Sequence, residues 1–178
     1  MIRGRRRTLA TVSRLTLVVM AAATIAACGG GTSGSGDSKA TTVRFSAADG
    51  GTTSLADMKG TPVVLNMWAT WCKPCVREMP DFDSVASSID GVRIIGVNVA
   101  DSAEDAAAFA TKLGVSYEQF NDPTGDLSDA FDVTGLPATV FVDASGKVVE
   151  VHAGALTADE LRSRIATDFP DISKGTTP

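Results

Sequence analysis

Histidine and cysteine, the residues that most often bind zinc, are scarce in this 178-residue chain. His152 is the only histidine, and of the three cysteines only Cys72 and Cys75 form a Cys-x-x-Cys pair. One such pair is half of a zinc site, and a closed structural site needs four ligands. Because the chain has neither a second pair nor a second histidine, Asp or Glu would have to complete the site. The sequence therefore argues against a metal site.

Acidic residues are absent from the first 27 positions, which carry five arginines instead. The rest of the chain holds 11 basic and 21 acidic side chains, a formal charge of about −10. A body of this charge is not attracted to nucleic acid or to anionic lipid. We expect no nucleic-acid partner.

The N-terminal apolar stretch is too short to cross a membrane. Residues 15–27 make a run of thirteen, whereas a transmembrane helix needs about 20. With their basic start, residues 1–27 have the organisation of a cleaved export signal. The sequence Ile25-Ala26-Ala27-Cys28 resembles the processing site of bacterial lipoproteins, which implies that Cys28 is the lipid acceptor. The alternative is an ordinary secretory signal followed by an incidental cysteine.

Residues 28–42 are expected to be the lipidated cysteine and a flexible tether, because glycine and serine dominate them. A free thiol at Cys28 would be a liability in an oxidising compartment, and acylation removes it. We therefore expect the protein on the outer face of the bacterial cell membrane, held by the lipid on Cys28. The Arg6-Arg7 pair leaves the export route open between Sec and twin-arginine.

The Cys72-Lys73-Pro74-Cys75 motif follows an apolar run at residues 63–69 and precedes helix-forming residues. This order predicts a buried strand that delivers both cysteines to the first turn of a helix. The positive end of the helix favours the thiolate of the first cysteine. Pro74 fits the first turn, where its missing N–H costs nothing. We predict a redox-active disulfide between Cys72 and Cys75.

Strand and helix patterns alternate along the rest of the chain. Strands are predicted at residues 43–46, 63–69, 92–99, 139–142 and 147–152, and helices at 72–88, after Ser102, at 126–131 and after Thr157. Residues 121–125 are predicted to form a loop. This pattern indicates an α/β fold with a mixed central sheet and helices on both faces. The domain is expected to span residues 43–170, with a frayed tail at 171–178.

Several motifs occur together in one known family. They are Leu55–Gly60, Asn66–Cys75, Glu78, Pro80, Gly135–Thr139 and Val142–Lys147. Through them the chain resembles membrane-anchored thioredoxin-like proteins of the TlpA/ResA type. The resemblance implies a thioredoxin-like fold and thiol–disulfide oxidoreductase activity outside the cytoplasm. We expect no cofactor.

Three residues of the predicted helix start have roles in this scheme. Cys72, beside a surface-leaning Trp71, is expected to be the exposed thiolate that attacks a substrate disulfide, and Cys75 then resolves the mixed disulfide. The resemblance gives Glu78, one turn beyond Cys75, a role in proton transfer to or from that cysteine. The alternative is a solvent-facing Glu that only favours the helix start. Asn66 stands where thioredoxin has a buried Asp, and it cannot ionise.

The resemblance also implies a cis peptide bond before Pro137, opposite the disulfide. The backbone of Leu136 is then free to pair with a substrate strand, and Trp71 is expected to form part of the same substrate-facing surface. Cytochrome-maturation members often carry Glu after this proline, whereas this chain has Ala138.

The leading interpretation is a monomeric enzyme that exchanges disulfides with protein substrates and with a membrane electron-transfer partner. Reduction, as in cytochrome c biogenesis, and oxidation of folding proteins both remain open. The alternative is a copper-binding metallochaperone of thioredoxin fold. Such relatives typically space their cysteines by three residues and add a distal histidine, whereas here the spacing is two and the histidine is His152. A peroxidase of related fold needs the motif Pro-x-x-x-Thr-x-x-Cys, which the chain lacks.

Overall fold

A mixed sheet with β3 near its centre organises the domain. The computed structural model describes residues 39–47 and 50–172. Within them the strands are β1 Phe45–Ala47, β2 Thr52–Thr53, β3 Val63–Trp68, β4 Arg93–Val99, β5 Glu118–Asp122, β6 Ala138–Val142 and β7 Val148–Ala153. The helices are α1 Lys73–Ala86, α2 Ala103–Leu113, α3 Asp126–Ala130 and α4 Ala158–Asp168, and a 3₁₀ turn spans Leu55–Met58. The strand order is β2-β1-β5-β4-β3-β6-β7.

Strand β3 is buried along its whole length. It pairs in parallel with β4 and antiparallel with β6, so no backbone edge is left open. A strand covered on both faces is expected to be continuously apolar, and only Asn66 interrupts β3. This burial fixes where the strand ends, and therefore where the cysteines that follow it lie.

The two faces of the sheet carry different hydrophobic clusters, since side chains alternate along a strand. Leu65 and its neighbours on one face pack against the 3₁₀ turn and α3. Val64 on the other face packs with Phe82 of α1 and Leu161 of α4. The prediction of a mixed sheet with helices on both faces is confirmed.

The prediction of a loop at residues 121–125 is wrong for its first part. Asn121 and Asp122 belong to β5, which lies between β1 and β4. The sequence pattern concealed this strand because Phe120 is the only apolar residue in Glu118–Asp122. Its place is determined by the two strands that pair with it and not by its own hydrophobicity.

The packed body extends slightly beyond the boundaries that the sequence suggested. Ala40 and Thr41, which we placed in the tether, are buried, and the Ala56 N–H donates to the Thr41 carbonyl at 2.9 Å. At the other end, Ile172 packs against the cluster around α1 and α4. No helix among residues 39–47 and 50–172 is both long and apolar enough to cross a membrane.

Candidate active site

The Cys-x-x-Cys pair lies at the junction of β3 and α1. Cys72 is the N-cap residue of α1, and Pro74 lies in the first turn, where a backbone N–H has no helical partner. Cys72 and Cys75 form a disulfide, with their Cα atoms 5.3 Å apart. The structure thus brings both sulfurs to the place that the strand and helix patterns indicated.

The Cys72 sulfur takes the place of the oxygen that usually caps a helix. The Cys75 N–H donates to Cys72 Sγ at 3.3 Å. When the disulfide is reduced, this N–H and the positive end of α1 favour the thiolate of Cys72 over its thiol. The arrangement can therefore supply a nucleophilic sulfur.

The disulfide is more covered than we expected from the sequence. Cys72 is 4% exposed and Cys75 fully buried, while Trp71 is 66% exposed. The expectation of an exposed Cys72 is wrong for the oxidised protein, because its sulfur turns inward to cap the helix and bond Cys75. Cys72 is still the more accessible of the pair.

An apolar cluster surrounds the disulfide. Trp68 and Met79 pack there with Ala106 and Ala110 of α2, and Leu136 adjoins the cluster. Such surroundings keep water away from a buried thiol. No group of three or more His, Cys, Asp or Glu among the described residues is arranged to hold a metal ion.

Asp101 fixes the loop that leads to the cysteines. Its Oδ2 accepts from the Thr70 N–H at 2.7 Å and from Asn98 Nδ2 at 2.9 Å. These contacts tie the loop before Cys72 to the end of β4. Sequence reasoning missed Asp101, because it lies 31 residues after Thr70. Only the parallel pairing of β3 and β4 brings the two residues together.

Glu78 is a buried carboxyl on α1, only 3% exposed. Asn66 Nδ2 donates to its Oε1 at 2.7 Å, and the Leu156 N–H donates to its Oε2 at 2.9 Å. Burial is the largest influence and raises the pKa of Glu78 from 4.5 to about 7, although both hydrogen bonds lower it and Asp81 raises it further. A group of this pKa exchanges protons near neutral pH. The solvent-facing alternative for Glu78 is excluded.

Two residues that sequence reasoning overlooked extend this polar network. The hydroxyl of Tyr117 donates to Asn66 Oδ1 at 3.0 Å. Gln119 Oε1 accepts from the Trp68 indole N–H at 3.0 Å. Tyr117 is the only tyrosine of the chain, but no motif identified it, because its partner lies 51 positions away.

The Leu136–Pro137 peptide bond is cis, as the resemblance implied. Leu136 packs beside the disulfide, and within the described residues no hydrogen bond engages its backbone. A cavity of about 360 Å³ opens next to it, lined by residues 132–138 together with Val151, Ala153 and Gly154. The surface beside the disulfide therefore combines free backbone groups with an apolar recess.

A larger cavity, of about 690 Å³, lies elsewhere. It is lined by residues such as Pro62, Asp143 and Phe169, at the end of β3 opposite the cysteines. Neither cysteine contributes to it. Because chemistry requires the sulfur pair, size alone does not make this cavity the active site.

His152 lies on β7, two strands away from β3. Thr139 of β6 pairs with both Asn66 and His152, which separates Asn66 from His152 by about 10 Å at the usual strand spacing. Partial burial, followed by the charge of Arg164, lowers the pKa of His152, while Glu150 and Glu160 raise it. Among the described residues, no contact joins this histidine to the cysteines as a copper site would require.

Comparison with known proteins places the chain in a family. The profile of the AhpC/TSA family matches residues 37–151. The thiol–disulfide oxidoreductase ResA of Geobacillus thermodenitrificans is 33% identical over 118 residues, which cover 65% of this chain and 68% of the relative. The chain belongs to the AhpC/TSA family and is of the TlpA/ResA type.

Solved structures agree with this family assignment. MTB DsbF, solved in mixed oxidised and reduced forms, superposes with a TM-score of 0.67 at 32% identity over 72% of this chain and 96% of its own. The exposed lipoprotein thioredoxin Etrx1 of Streptococcus pneumoniae strain TIGR4 gives 0.61 at 28% identity over 70% of this chain and 98% of its own. The chain has a thioredoxin-like fold and is a thiol–disulfide oxidoreductase.

Cys28, the expected lipid acceptor, lies outside the described residues, as do the export signal and most of the tether.

Proposed function

We propose that this protein is a membrane-tethered, extracytoplasmic enzyme that exchanges disulfides with protein substrates, with Cys72 as nucleophile and Cys75 as resolving cysteine. The observation that carries the proposal is the helix cap: Cys72 Sγ accepts the Cys75 N–H at the start of α1. Family membership supports the same chemistry.

The exchange proceeds in two steps. The Cys72 thiolate attacks one sulfur of a substrate disulfide, which breaks that bond, forms a mixed disulfide and releases one substrate thiolate. The Cys75 thiolate then attacks Cys72 Sγ, which forms the Cys72–Cys75 bond and releases the second substrate thiolate. The substrate gains two electrons that the enzyme loses. The reverse sequence oxidises a substrate dithiol.

Glu78 is proposed to accept the proton of Cys75 before the second step and to return it in the reverse direction. Cys75 is fully buried, so bulk water cannot readily take its proton. Glu78 lies three residues further along the same helix, on the same side. Its pKa of about 7 allows it to hold or release a proton at physiological pH.

Substrate proteins are proposed to bind across Trp71, Leu136 and Pro137. The exposed indole of Trp71 offers an apolar contact, and the Leu136 backbone can pair with an extended substrate segment. The recess beside Pro137 can take one apolar side chain. We infer that the protein acts as a monomer, with a membrane protein as its electron-transfer partner.

Residues 1–42 support an anchored location. The lipoprotein-like Ile25-Ala26-Ala27-Cys28 and the Gly/Ser-rich segment after it suit a domain held at a membrane. Etrx1, named an exposed lipoprotein, is a structural relative. In cells, Cys28→Ser should move the protein out of the membrane fraction, whereas the matched variant Cys75→Ser should stay there. Retention of Cys28→Ser in the membrane fraction would contradict lipid anchoring.

Mixed-disulfide trapping tests the roles of the cysteines. With a disulfide-bridged peptide, Cys75→Ser should accumulate a covalent enzyme–peptide adduct that dithiothreitol releases, and Cys72→Ser should form none. Adducts of equal yield in both variants would overturn the assignment of the nucleophile.

The reduction potential of the pair decides the direction. Equilibration with glutathione, read by the fluorescence of Trp68 and Trp71, measures it. A potential near thioredoxin's, roughly −270 mV, indicates a reductant, and one near roughly −120 mV indicates an oxidant.

A further inference from the structure

A hydrogen-bonded chain runs from the Trp68 indole to the backbone of Tyr117. It begins at a group that can only donate, because an indole has an N–H and no acceptor. Trp68 Nε1 donates to Gln119 Oε1 at 3.0 Å, so the Gln119 oxygen must face the indole. Gln119 Nε2 then points the other way and donates to the Tyr117 carbonyl at 3.1 Å.

The Tyr117 hydroxyl, at the tip of the side chain, starts a second hydrogen-bonded chain, and this one leads to Glu78. The hydroxyl donates to Asn66 Oδ1 at 3.0 Å, which is its one acceptor among the described residues. Once the Asn66 oxygen faces Tyr117, the Asn66 nitrogen must face Glu78, and Nδ2 donates to Oε1 at 2.7 Å.

The orientation of the Asn66 amide matters because Glu78 has two forms. A carboxylate accepts from Nδ2, whereas a flipped amide would set its oxygen against Oε1 and would suit only the protonated acid. The second carboxylate oxygen already accepts the Leu156 N–H. An amide held with Nδ2 toward Glu78 thus stabilises the charged form of a carboxyl that burial disfavours.

Tyr117 is itself held firmly against α1. Asp83 Oδ1 accepts from the N–H groups of Ser116 and Tyr117, at 2.6 and 3.0 Å. The ring of Tyr117 packs on Phe82, with 6.4 Å between centroids. The same helix carries Cys75 and Glu78, so the hydroxyl is fixed relative to both.

We propose that Tyr117 is a positioning residue that locks the Asn66 amide as a donor to Glu78, and so sets the pH range in which Glu78 exchanges its proton with Cys75. This proposal rests on the proposed function of Glu78. The titratable groups that face the network from α1, from the segment before β5 and from the sheet are Asp81, Asp83, Tyr117 itself and, one strand beyond Thr139, His152. Asn66, Thr139 and the Leu156 N–H are uncharged.

Tyr117→Phe tests the proposal, because it keeps the ring and removes only the hydroxyl. In the oxidised protein the disulfide cysteines do not titrate, so the carboxyl ¹³C resonance of Glu78 reports its pKa without coupling to a thiol. The variant should raise the pKa of Glu78 by about one pH unit, a tenfold weaker acid. The matched control is Thr139→Val, which removes a buried hydroxyl with no hydrogen-bond partner next to Asn66 and should leave the Glu78 pKa unchanged.

A measurement on the unaltered protein covers the case in which the variant does not fold. The chemical shifts of the side-chain amide protons of Asn66 should change with pH at the same midpoint as the Glu78 titration, because one of these protons is donated to the Glu78 carboxylate. Asn66 protons that ignore the Glu78 titration, or an unchanged or lowered Glu78 pKa in Tyr117→Phe, would overturn the proposal.

The two proposals can fail separately. The pH dependence of the Cys72–Cys75 reduction potential in Tyr117→Phe reports on proton exchange with Cys75. If the Glu78 pKa rises while this dependence stays that of the unaltered protein, Tyr117 positions Glu78 and the proton-transfer role of Glu78 is wrong.

Discussion

Glu78→Gln probes the cost of keeping a carboxyl inside this fold. Glu78 is 3% exposed, and burial raises its pKa from 4.5 to about 7 despite the hydrogen bonds from Leu156 and Asn66 that lower it. At about 1.4 kcal/mol per pH unit, this difference between the unfolded and folded chain corresponds to about 3 kcal/mol. The buried carboxyl therefore makes the stability of the protein depend on pH.

The sign of this dependence follows from the protons bound in each state. Below pH 4.5 Glu78 is protonated in both states and contributes no penalty. Between pH 4.5 and about 7 the folded protein keeps a proton that the unfolded chain has lost, so the free energy of unfolding falls as pH rises. Above this range the loss is complete. Gln at this position has no such proton and removes the slope.

Urea denaturation of the two oxidised proteins between pH 4.5 and 8 measures the effect. The free energy of unfolding of Glu78→Gln, minus that of the unaltered protein, should rise by about 3 kcal/mol across this range. All other ionisable groups are common to both proteins and cancel. Gln also places an NH₂ group against a donor, which costs about 1 kcal/mol at every pH. This cost shifts the difference in the free energy of unfolding by a constant and does not change its pH dependence.

A flat difference would refute the reasoning. It would mean that Glu78 stays ionised throughout, with its hydrogen bonds outweighing burial. In that case Glu78 could not exchange protons near neutrality, and the proposed proton transfer would fail with it.

Three further substitutions distinguish residues that contact the substrate from residues that stabilise the fold around the site. Trp71→Ala should lower kcat/KM for a protein substrate several-fold, as measured by steady-state kinetics. It should change the free energy of unfolding by less than about 0.5 kcal/mol in urea denaturation, because the side chain is 66% exposed. Unchanged kinetics would show that Trp71 is not part of the substrate surface. Asp101→Ala should destabilise the protein by about 1–3 kcal/mol, because Thr70 and Asn98 lose their acceptor; a loss near zero in urea denaturation would show that these contacts add nothing. Leu161→Ala should cost about 2–5 kcal/mol by leaving a cavity beneath α4 and should not move the reduction potential; calorimetry and glutathione equilibration test the pair of effects.

The sequence predicted the parts of the fold whose own residues decide their structure. Five of the six residues of Val63–Trp68 are apolar, which predicts a buried strand. The helix start after Thr157 is also local, since Thr157 and Glu160 cap α4 by bonds within its first turn. Strand β5 is different, because Glu118–Asp122 is polar and becomes a strand only where β1 and β4 flank it. The residues of such a strand do not themselves indicate which distant strands will pair with it.

The candidate site shows the same distinction between local and long-range determinants. Cys72, Cys75 and Glu78 lie within seven residues, so helix geometry alone relates them, and their order along α1 could be predicted. The groups that set the properties of Glu78 come from far away: the Leu156 N–H is 78 positions distant, and Tyr117 reaches Asn66 across 51. These contacts exist only once the sheet is assembled.

The division has a physical consequence for how such an enzyme can vary. A redox pair at a helix start needs only a short local motif, whereas the proton affinity of the acid beside it depends on Asn66, Tyr117 and Leu156, which belong to three separate parts of the fold. On the roles proposed for Tyr117 and Glu78, a change at Tyr117 is expected to alter the pH range of the reaction and to leave Cys72 and Cys75 in place. It follows from these proposed roles that the residues that perform sulfur exchange and the residues that set its pH range can be altered independently.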